Sequence, residues 1–250
     1  MDKVWGSSRR FLVNQLHRRG IHLSRVETAA NLEATLVALQ KRGLRLQYIY
    51  DIGANHGQWT KRIEKVLSQD SCFFLFEGSD RHATKLAQQK WPWFSVVLGS
   101  EDTEATWWGS GGLGDSLYPE VGIDPRTAPR HSVHVRRLDE FVVENEIPLP
   151  DFLKIDTQGS ELAILKGGSN CLSCAALVVL EVPVIPYNQG TPLLHEYISF
   201  MMEKSFVPVA VTEIHLMHGV LVQLDIAFLR QDVYTTVWGI NKTPFLPFVN

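Results

Sequence analysis

The sequence predicts an α/β fold in which seven strands form one wound sheet with helices on both of its faces. Short apolar runs of strand length recur along the chain, and amphipathic segments with helical spacing separate them. Glycine-containing turns directly follow two of these runs. The chain has 250 residues, of which 45% are hydrophobic, so it can bury the core of a single domain that spans residues 1–250.

Residues 1–47 are predicted to form an N-terminal helical cap. Arginines alternate with apolar residues between positions 9 and 25, which indicates a solvated helix that covers the domain. A basic amphipathic helix at a membrane surface is the alternative interpretation of that segment. A second helix carries Leu32, Leu36 and Leu39 on one face and ends at Gly43.

The strands of the sheet are predicted from apolar runs bounded by turn residues. They cover residues 48–51, 73–77, 94–98, 152–156, 177–181, 206–210 and 225–229. Between the third and fourth of them lies a long insertion, residues 99–151, which is expected to form a lid or a wall on the acceptor side. Within it, residues 133–137 are predicted to add a peripheral strand and residues 138–146 a short helix.

The first motif, Asp51-Ile-Gly-Ala-Asn-His-Gly57, follows the first strand and precedes a predicted helix over residues 58–67. Gly53 and Gly57 allow a tight turn and a close approach of the backbone to a ligand. Strand, turn and helix together predict a binding site for a nucleotide-type cofactor, formed by Asp51, Gly53, Ala54, Asn55 and Gly57. A purely structural turn is the alternative.

The second strand ends in Glu77, about twenty residues past the glycines, where a ribose is commonly held. An ionised carboxylate has two oxygens for the two hydroxyls of a ribose. Glu77 and Gly78 are therefore predicted to contact the cofactor. The alternative is that the carboxylate caps the helix predicted over residues 81–89.

The second motif, Phe152-Leu-Lys-Ile-Asp-Thr-Gln-Gly-Ser-Glu161, repeats the order of strand, turn and helix. It brings Lys154, Asp156 and Gln158 toward the carboxyl edge of the sheet, where open α/β sheets bind ligands. Two charged residues at alternating positions of a buried strand are costly unless they are paired or take part in chemistry. These residues and Glu181, which ends the next strand, are the predicted catalytic group, and a structural ion pair is the alternative for Lys154 and Asp156.

Composition excludes some classes of partner. With 24 basic and 27 acidic residues the net charge is −3, which gives no basic field for nucleic acid. The chain shows no run of eighteen apolar residues and no signal-peptide pattern, so we expect a cytoplasmic protein without integral membrane association. Three cysteines agree with a reducing compartment, and the Cys171–Cys174 pair is expected to be structural.

The chain resembles the FkbM-type S-adenosylmethionine-dependent methyltransferases. The resemblance rests on three blocks in the family's order: residues 51–58, Phe76-Glu77, and residues 151–161 with Leu165-Lys-Gly167. Arg137-Leu-Asp139, Val179-Leu-Glu181, Tyr187 and Gln223-Leu-Asp225 are also similar to family signatures. It covers about residues 30 to 230 and leaves out the first thirty.

The resemblance implies a class I methyltransferase, Rossmann-like fold with sheet order 3-2-1-4-5-7-6 and an antiparallel seventh strand. It implies O-methylation of a hydroxyl on a sugar, glycolipid or natural product, with S-adenosylmethionine as cofactor and S-adenosylhomocysteine as product. The first motif would surround the methionine part, Glu77 the ribose, and Ser100, Glu101 and Asp102 the adenine. Asn55 replaces the middle glycine that close approach to a pyrophosphate needs, which suits a cofactor without phosphates.

A base within reach of the acceptor hydroxyl would assist the transfer. Asp156 is the first candidate and Glu181 the second, followed by His131 and His134. Mg²⁺ held by Asp156 and Glu181 is an alternative, but no metal is expected.

The insertion supplies the predicted acceptor wall. Trp107 and Trp108 could stack on the acceptor, and Arg130, with the other arginines between 126 and 137, could bind an anionic group on it. Ser116, His131 and His134 complete the predicted substrate residues, and ordinary hairpin packing is the alternative. Two other functions stay open at this stage, an NAD-dependent oxidoreductase and a non-catalytic binding protein on this fold. The partner is expected to be a small molecule or a glycan, and the sequence does not indicate the oligomeric state.

Overall fold

A computed structural model describes residues 31–109 and 115–238 of the chain, so the arginine-rich helix predicted within residues 1–30 lies outside the described residues. The strands are β1 (Tyr48–Ile52), β2 (Cys72–Glu77), β3 (Trp93–Ser95), β4 (Val97–Gly99), β5 (Thr103–Trp108), β6 (Arg130–Arg137), β7 (Phe152–Ile155), β8 (Leu177–Pro183), β9 (Phe206–Met217) and β10 (Val220–Arg230). The helices are α1 (Leu32–Lys41), α2 (Gln58–Ile63), α3 (Ala83–Leu86), α4 (Leu138–Glu144), α5 (Glu161–Gly167), α6 (Ser169–Cys174), α7 (Leu194–Glu203) and α8 (Gln231–Trp238), with a 3₁₀ helix at Asp80–His82.

The main sheet has seven strands in the order β3-β2-β1-β7-β8-β10-β9. Counted within this sheet alone, the order is 3-2-1-4-5-7-6, as predicted. The five neighbouring strands β3, β2, β1, β7 and β8 pair in parallel, and β10 runs antiparallel to both of its neighbours, β8 and β9. The predicted fold class is therefore confirmed, including the antiparallel seventh strand.

Helices cover both faces of this sheet. Ile49 and Tyr50 are neighbours in β1, and their side chains enter two different apolar clusters. The cluster around Tyr50 includes residues of α4, α5, α6 and α7, whereas the cluster around Ile49 includes residues of α1, α2, α3 and α8. Because both faces are covered, every residue of β7 and β8 is buried, which explains why these strands are apolar except for Lys154 and Glu181.

The third predicted strand, residues 94–98, is divided into two in the structure. β3 pairs with β2, whereas β4 pairs in parallel with β6. Between them, the amide of Val96 donates to the carbonyl oxygen of Glu77 over 2.9 Å. β4, β6 and β5 then form a second, three-stranded sheet, so the strands of the insertion belong to a small sheet beside the main one.

Other element ends differ from the prediction in length. β9 and β10 have 12 and 11 residues instead of five each, because their distal halves form a hairpin that extends past the neighbouring strands and lacks a buried apolar run. The predicted helix over residues 58–67 covers only α2, and the one over residues 81–89 is divided between the 3₁₀ helix and α3. Over residues 31–109 and 115–238, no helix is both long enough and apolar enough to span a bilayer.

Candidate functional site

A cavity of about 260 Å³ lies where the carboxyl ends of β1, β2, β7 and β8 meet the bend between β3 and β4. This is the edge at which open α/β sheets bind ligands. Its lining consists of Ile52, Gly53, Asn55, Phe76–Ser79, His82, Val96–Leu98, Trp107, Asp115, Asp156–Gln158, Ser160, Ile164 and Glu181. Eight residues predicted for the site are among them: Gly53, Asn55, Glu77, Gly78, Trp107, Asp156, Gln158 and Glu181.

The turn after β1 packs directly on the turn after β7. Gly53 has φ +74°, and a Cβ built on it would lie 1.8 Å from the carbonyl oxygen of Asp156. Gly53 and Ala54 both donate their backbone amides to the carbonyl oxygen of Phe76. The first turn is therefore fixed against β2 on one side and against the second motif on the other.

Asn55 supplies an unused acceptor at the cavity. Its backbone is left-handed, with φ +50°, and its Oδ1 is buried without a hydrogen-bond partner in the described part of the chain. Asn55 also lines the cavity. Because a buried polar atom without a partner is costly, a ligand that donates a hydrogen bond here would be favoured.

Glu77 lies across from Asn55 and is 8% exposed. Its Oε2 accepts from the amide of Asn55 over 2.7 Å, and its Oε1 accepts from the amide of Ser79 over 2.8 Å. Ser79 precedes the 3₁₀ helix, so the carboxylate also holds the start of that helix, as in the alternative capping interpretation. A carboxylate can accept about four hydrogen bonds, which leaves capacity for the two hydroxyls of a ribose.

Lys154 is buried behind the first turn between two carboxylates. Its Nζ lies 3.1 Å from Asp51 Oδ1 and 3.4 Å from Asp156 Oδ2, and it donates to the carbonyl oxygen of Gly53 over 3.0 Å. Burial lowers the pKa of Lys154, but Asp156 and Asp51 raise that pKa by more, so the ammonium stays charged. Asp51 also accepts from the Thr60 hydroxyl over 2.6 Å. Lys154 and Asp51 thus support the turn from behind and do not line the cavity, nor do Ala54 and Gly57.

Two carboxylates face the cavity from the second motif and from β8. The side chain of Asp156 is 38% exposed, whereas Glu181 is 8% exposed. Burial and the neighbouring carboxylates of Asp156, Glu161 and Asp225 raise the pKa of Glu181. Gln158, which has a left-handed backbone, donates its Nε2 to Glu181 Oε2 over 2.7 Å.

The turn at residues 157–159 is held by Glu161, which is fully buried. Its carboxylate accepts from the amides of Thr157 and Gly159 and from the hydroxyl of Tyr197, the last over 2.6 Å. Burial raises the pKa of Glu161, while the hydrogen bond from Tyr197 acts in the opposite direction. Glu161 therefore positions Gln158 and does not itself line the cavity.

The predicted adenine contacts are placed outside the cavity. On the side of β3 and β4, the cavity is lined by Val96–Leu98. Ser100, Glu101 and Asp102 come after the end of β4 and do not line the cavity. Asp102 pairs with Arg136 over 2.6 Å and with His134 over 2.8 Å. The physical reason is the bend at Val96, which carries the residues after β4 away from the main sheet.

The predicted acceptor residues separate into two groups. Trp107 lines the cavity, but its ring packs over the end of β2, where Cη2 lies 3.0 Å from a Cβ built on Gly78. The other five, Trp108, Ser116, Arg130, His131 and His134, do not line it. Ser116 is buried and donates its hydroxyl to the carbonyl oxygen of Gln158 over 2.7 Å, while Arg130 lies over the Trp108 ring at 5.4 Å.

Several residues near the site were not singled out from the sequence. His82 and Asp115 line the cavity, and Nδ1 of His82 is buried without a partner among the described residues. Asn188 donates to the carbonyl oxygen of Gln158 over 2.7 Å. His215 lies beside Asp225 and Glu181 on the neighbouring strands. Of His82, Asp115, Asn188, His215 and Asp225, only Asp225 could be noticed in the sequence, because it is the last residue of the family-like segment Gln223-Leu-Asp225.

Comparison with known proteins gives a family and two curated relatives. The family model described as "Methyltransferase FkbM domain" matches residues 51–208. The hexuronic acid methyltransferase AglP of Haloferax volcanii is 41% identical over 44 residues, which is 18% of each chain. The 2-O-methyltransferase NoeI of Sinorhizobium fredii is 25% identical over 151 residues, 53% of this chain and 62% of the relative. The chain thus matches less than two thirds of the length of either relative.

Solved structures with a similar fold have low sequence identity. Methyltransferase FkbM from Methylobacillus flagellatus is 14% identical, covers 72% of this chain and 43% of its own, and gives a TM-score of 0.48. An O-methyltransferase from Bacillus cereus, solved in complex with SAH, is 12% identical, covers 79% of each chain and gives a TM-score of 0.47.

Proposed function

The chain belongs to the FkbM methyltransferase family, and from this premise we propose that it transfers a methyl group from S-adenosylmethionine to a hydroxyl of a small-molecule or glycan acceptor. One observation carries the choice of cofactor. The charged residues that line the cavity are Glu77, Asp115, Asp156 and Glu181, and no lysine or arginine of the described residues lines it. Such a lining suits a ligand with a sulfonium and an ammonium, and it disfavours the two anionic phosphates of NAD.

The residues present fit this cofactor. The unpartnered Oδ1 of Asn55 and the close turn at Gly53 would receive its methionine part, whose ammonium donates hydrogen bonds. Glu77 would accept from the ribose hydroxyls. The apolar wall at Val96–Leu98 and the ring of Trp107 would enclose the adenine. When bound, the cofactor supplies a methyl group activated by a positively charged sulfur.

Asp156 is the proposed base. Its carboxylate lines the cavity, is partly exposed, and is held by Lys154 over 3.4 Å. It would take the proton of the acceptor hydroxyl as the oxygen bonds to the methyl carbon and the carbon–sulfur bond breaks, so that the bonding electrons stay on sulfur. Glu181 is the second candidate. A positioned base contributes about 10²- to 10⁴-fold to the rate.

A sugar hydroxyl is the acceptor that we favour. The two curated relatives are named for a hexuronic acid and for 2-O-methylation. On the acceptor side the cavity offers polar groups, Asp115, Gln158 and Glu181, which can hydrogen-bond the several hydroxyls of a sugar. With a net charge of −3, nucleic acid is not proposed as a partner.

Cofactor binding is tested by thermal and calorimetric titration with S-adenosylhomocysteine and, in parallel, with NAD. Saturation at 100 times the dissociation constant of S-adenosylhomocysteine should stabilise the protein by about 2.7 kcal/mol, and NAD should have no effect. Glu77→Ala should weaken binding at least about tenfold, which is the loss of about 1.4 kcal/mol. Glu203→Ala, which removes an exposed carboxylate at the end of α7, is the matched control and should bind as the wild type does. Stabilisation by NAD alone would refute the proposed cofactor.

The base is tested with Asp156→Asn, a change that keeps the shape of the side chain. We expect kcat for methyl transfer to a sugar acceptor to fall about 10²- to 10⁴-fold while S-adenosylhomocysteine affinity changes by only a few fold. If Asp156→Asn and Glu181→Gln both kept full activity, neither carboxylate would be the base, although the cofactor assignment would stand.

A further inference from the structure

Three potential metal ligands lie side by side on adjacent strands next to the cavity. Glu181 in β8 pairs directly with Asp225 in β10, and Asp225 pairs with Glu213 in β9. His215 is two residues beyond Glu213, so it lies on the same face of the sheet. One carboxylate oxygen from Glu181, one from Asp225 and one ring nitrogen of His215 lie within 4.8 Å of one another.

The separations fit the shell of one ion. His215 Nε2 lies 3.1 Å from Asp225 Oδ1. Neighbouring ligands of an octahedral ion with bonds of about 2.1 Å are about 3 Å apart, and opposite ligands are about 4.2 Å apart. Side-chain shifts of less than about 1 Å would therefore bring all three atoms to a common centre.

The local charge also favours a cation. In the part of the chain that the structure describes, no lysine or arginine forms an ion pair with Glu181 or Asp225. The nearby ammonium of Lys154 is already shared between Asp51 and Asp156. Two carboxylates held this close in a partly buried site are costly unless a positive charge lies between them, and that charge comes either from a protonated His215 or from a metal ion that the neutral imidazole binds.

We propose that Glu181, Asp225 and His215 bind a divalent transition-metal ion at the rim of the cavity. An imidazole nitrogen with two carboxylate oxygens suits Mn²⁺, Fe²⁺, Co²⁺ or Zn²⁺ better than Mg²⁺ or Ca²⁺, which prefer oxygen ligands. The sequence had suggested Mg²⁺ between Asp156 and Glu181 only as an alternative, and the present site uses a different ligand set.

Of the three proposed ligands, Glu181 is the one that also lines the cavity. A bound ion could there contact the acceptor oxygen and favour its deprotonation by Asp156, in agreement with general metal catalysis. This catalytic use rests on the proposed methyl transfer, whereas metal binding itself does not.

The proposal is tested on the full chain after treatment with a chelator and buffer exchange. Mn²⁺ is titrated and free Mn²⁺ is followed by electron paramagnetic resonance. We expect one saturable site per chain, with affinity at least about tenfold lower in His215→Gln and in Asp225→Asn. His218→Asn is the matched control, because His218 is an exposed histidine on the same hairpin, and its variant should bind Mn²⁺ as the wild type does. Electron spin echo modulation of the wild-type complex should show a coordinated imidazole nitrogen, a readout that needs no variant to fold.

Mn²⁺ that fails to bind, that binds without an imidazole signal, or that binds equally to wild type and to both folded ligand variants would overturn the proposal. In that case His215 and Asp225 form only an ion pair within the hairpin. S-adenosylhomocysteine binding to the metal-free protein is measured in parallel. Mn²⁺ binding without cofactor binding would refute the proposed function and keep the metal site, and the reverse result would refute the metal site alone.

Discussion

At the scale of single residues, the turn after β1 depends on groups that support it as much as on groups that line the cavity. The motif Asp51–Gly57 looks uniform in sequence, and we predicted all of its chosen residues as cofactor contacts. The structure directs Asn55 to the cavity, whereas Asp51 is turned toward Lys154 and Thr60. Residue type alone does not tell these two roles apart, because both side chains are polar and belong to the same turn.

Gly53 gives the residue-scale prediction. Gly53→Ala adds a Cβ that would lie 1.8 Å from a backbone oxygen, whereas Gly190→Ala, at nearly the same φ, meets nothing within 4 Å. Both variants carry the strain of a left-handed alanine, so their difference isolates the contact with Asp156. We expect Gly53→Ala to lose about 1–3 kcal/mol more in free energy of unfolding than Gly190→Ala, as measured by urea denaturation. Equal losses would show that the turn can move away from the second motif.

At the scale of elements, the turn between β7 and α5 is tied to α7 through one buried carboxylate. Glu161, at the start of α5, joins the turn amides to Tyr197 of α7. The conformation of this turn places the Gln158 side chain where it donates a hydrogen bond to Glu181. Helix α7 therefore contributes to the site although none of its residues lines the cavity.

Tyr197→Phe tests this connection. The change should lower the free energy of unfolding by about 1–3 kcal/mol, because a fully buried hydrogen bond to a carboxylate is lost. Removing that bond raises the folded-state pKa of Glu161 further above its unfolded value, so the loss should be larger at pH 8 than at pH 5.5. Tyr48→Phe is the control and should change stability by less than about 0.5 kcal/mol, because among the described residues the Tyr48 hydroxyl accepts a hydrogen bond only from the exposed side chain of Gln47. A loss for Tyr197→Phe that is independent of pH would show that the hydroxyl does not act through Glu161.

The strands of the main sheet could be predicted where their side chains are buried on both faces. β7 and β8 appear in the sequence as apolar runs that each contain one charged residue, Lys154 and Glu181, and their starts agree with the prediction. The distal halves of β9 and β10 could not be found in this way, since Ile214 and Leu216 lie beside charged and polar residues and are exposed. The division between β3 and β4 was also missed, because five consecutive residues with strand character carry no local signal for a change of partner strand.

At the scale of the whole molecule, the cavity gathers its residues from distant parts of the chain. Its lining comes mainly from the ends of four strands and from the bend before β4, with further residues from the 3₁₀ helix, β5 and α5 and with Asp115. Parallel pairing could place Glu77, Asp156 and Glu181 at one edge from sequence alone, since each ends or follows a strand. The acceptor wall could not be placed, because the position of Trp107 depends on how the small sheet packs against Gly78.

Hydrogen exchange followed by mass spectrometry should show this convergence. Addition of S-adenosylhomocysteine should slow exchange in three separate segments, residues 53–57, 77–82 and 156–160, since one ligand would contact all of them. The hairpin tip at residues 216–220 serves as the internal control and should exchange at an unchanged rate. Slower exchange in only one of the three segments would contradict a cofactor that spans the cavity.

The bend at Val96 has a consequence for how ligands come and go. The backbone passes without a break from β3 in the main sheet to β4 in the small sheet. Val96, the residue between these two strands, donates its amide to the carbonyl oxygen of Glu77. A rotation of the small sheet away from the main sheet would therefore also displace Glu77, the residue proposed to hold the ribose. On the other side of the cavity, Asp115 lines it and Asn188 holds the backbone of Gln158. We therefore expect turnover to respond more strongly to changes at these two positions than to changes on the outer surface of the small sheet.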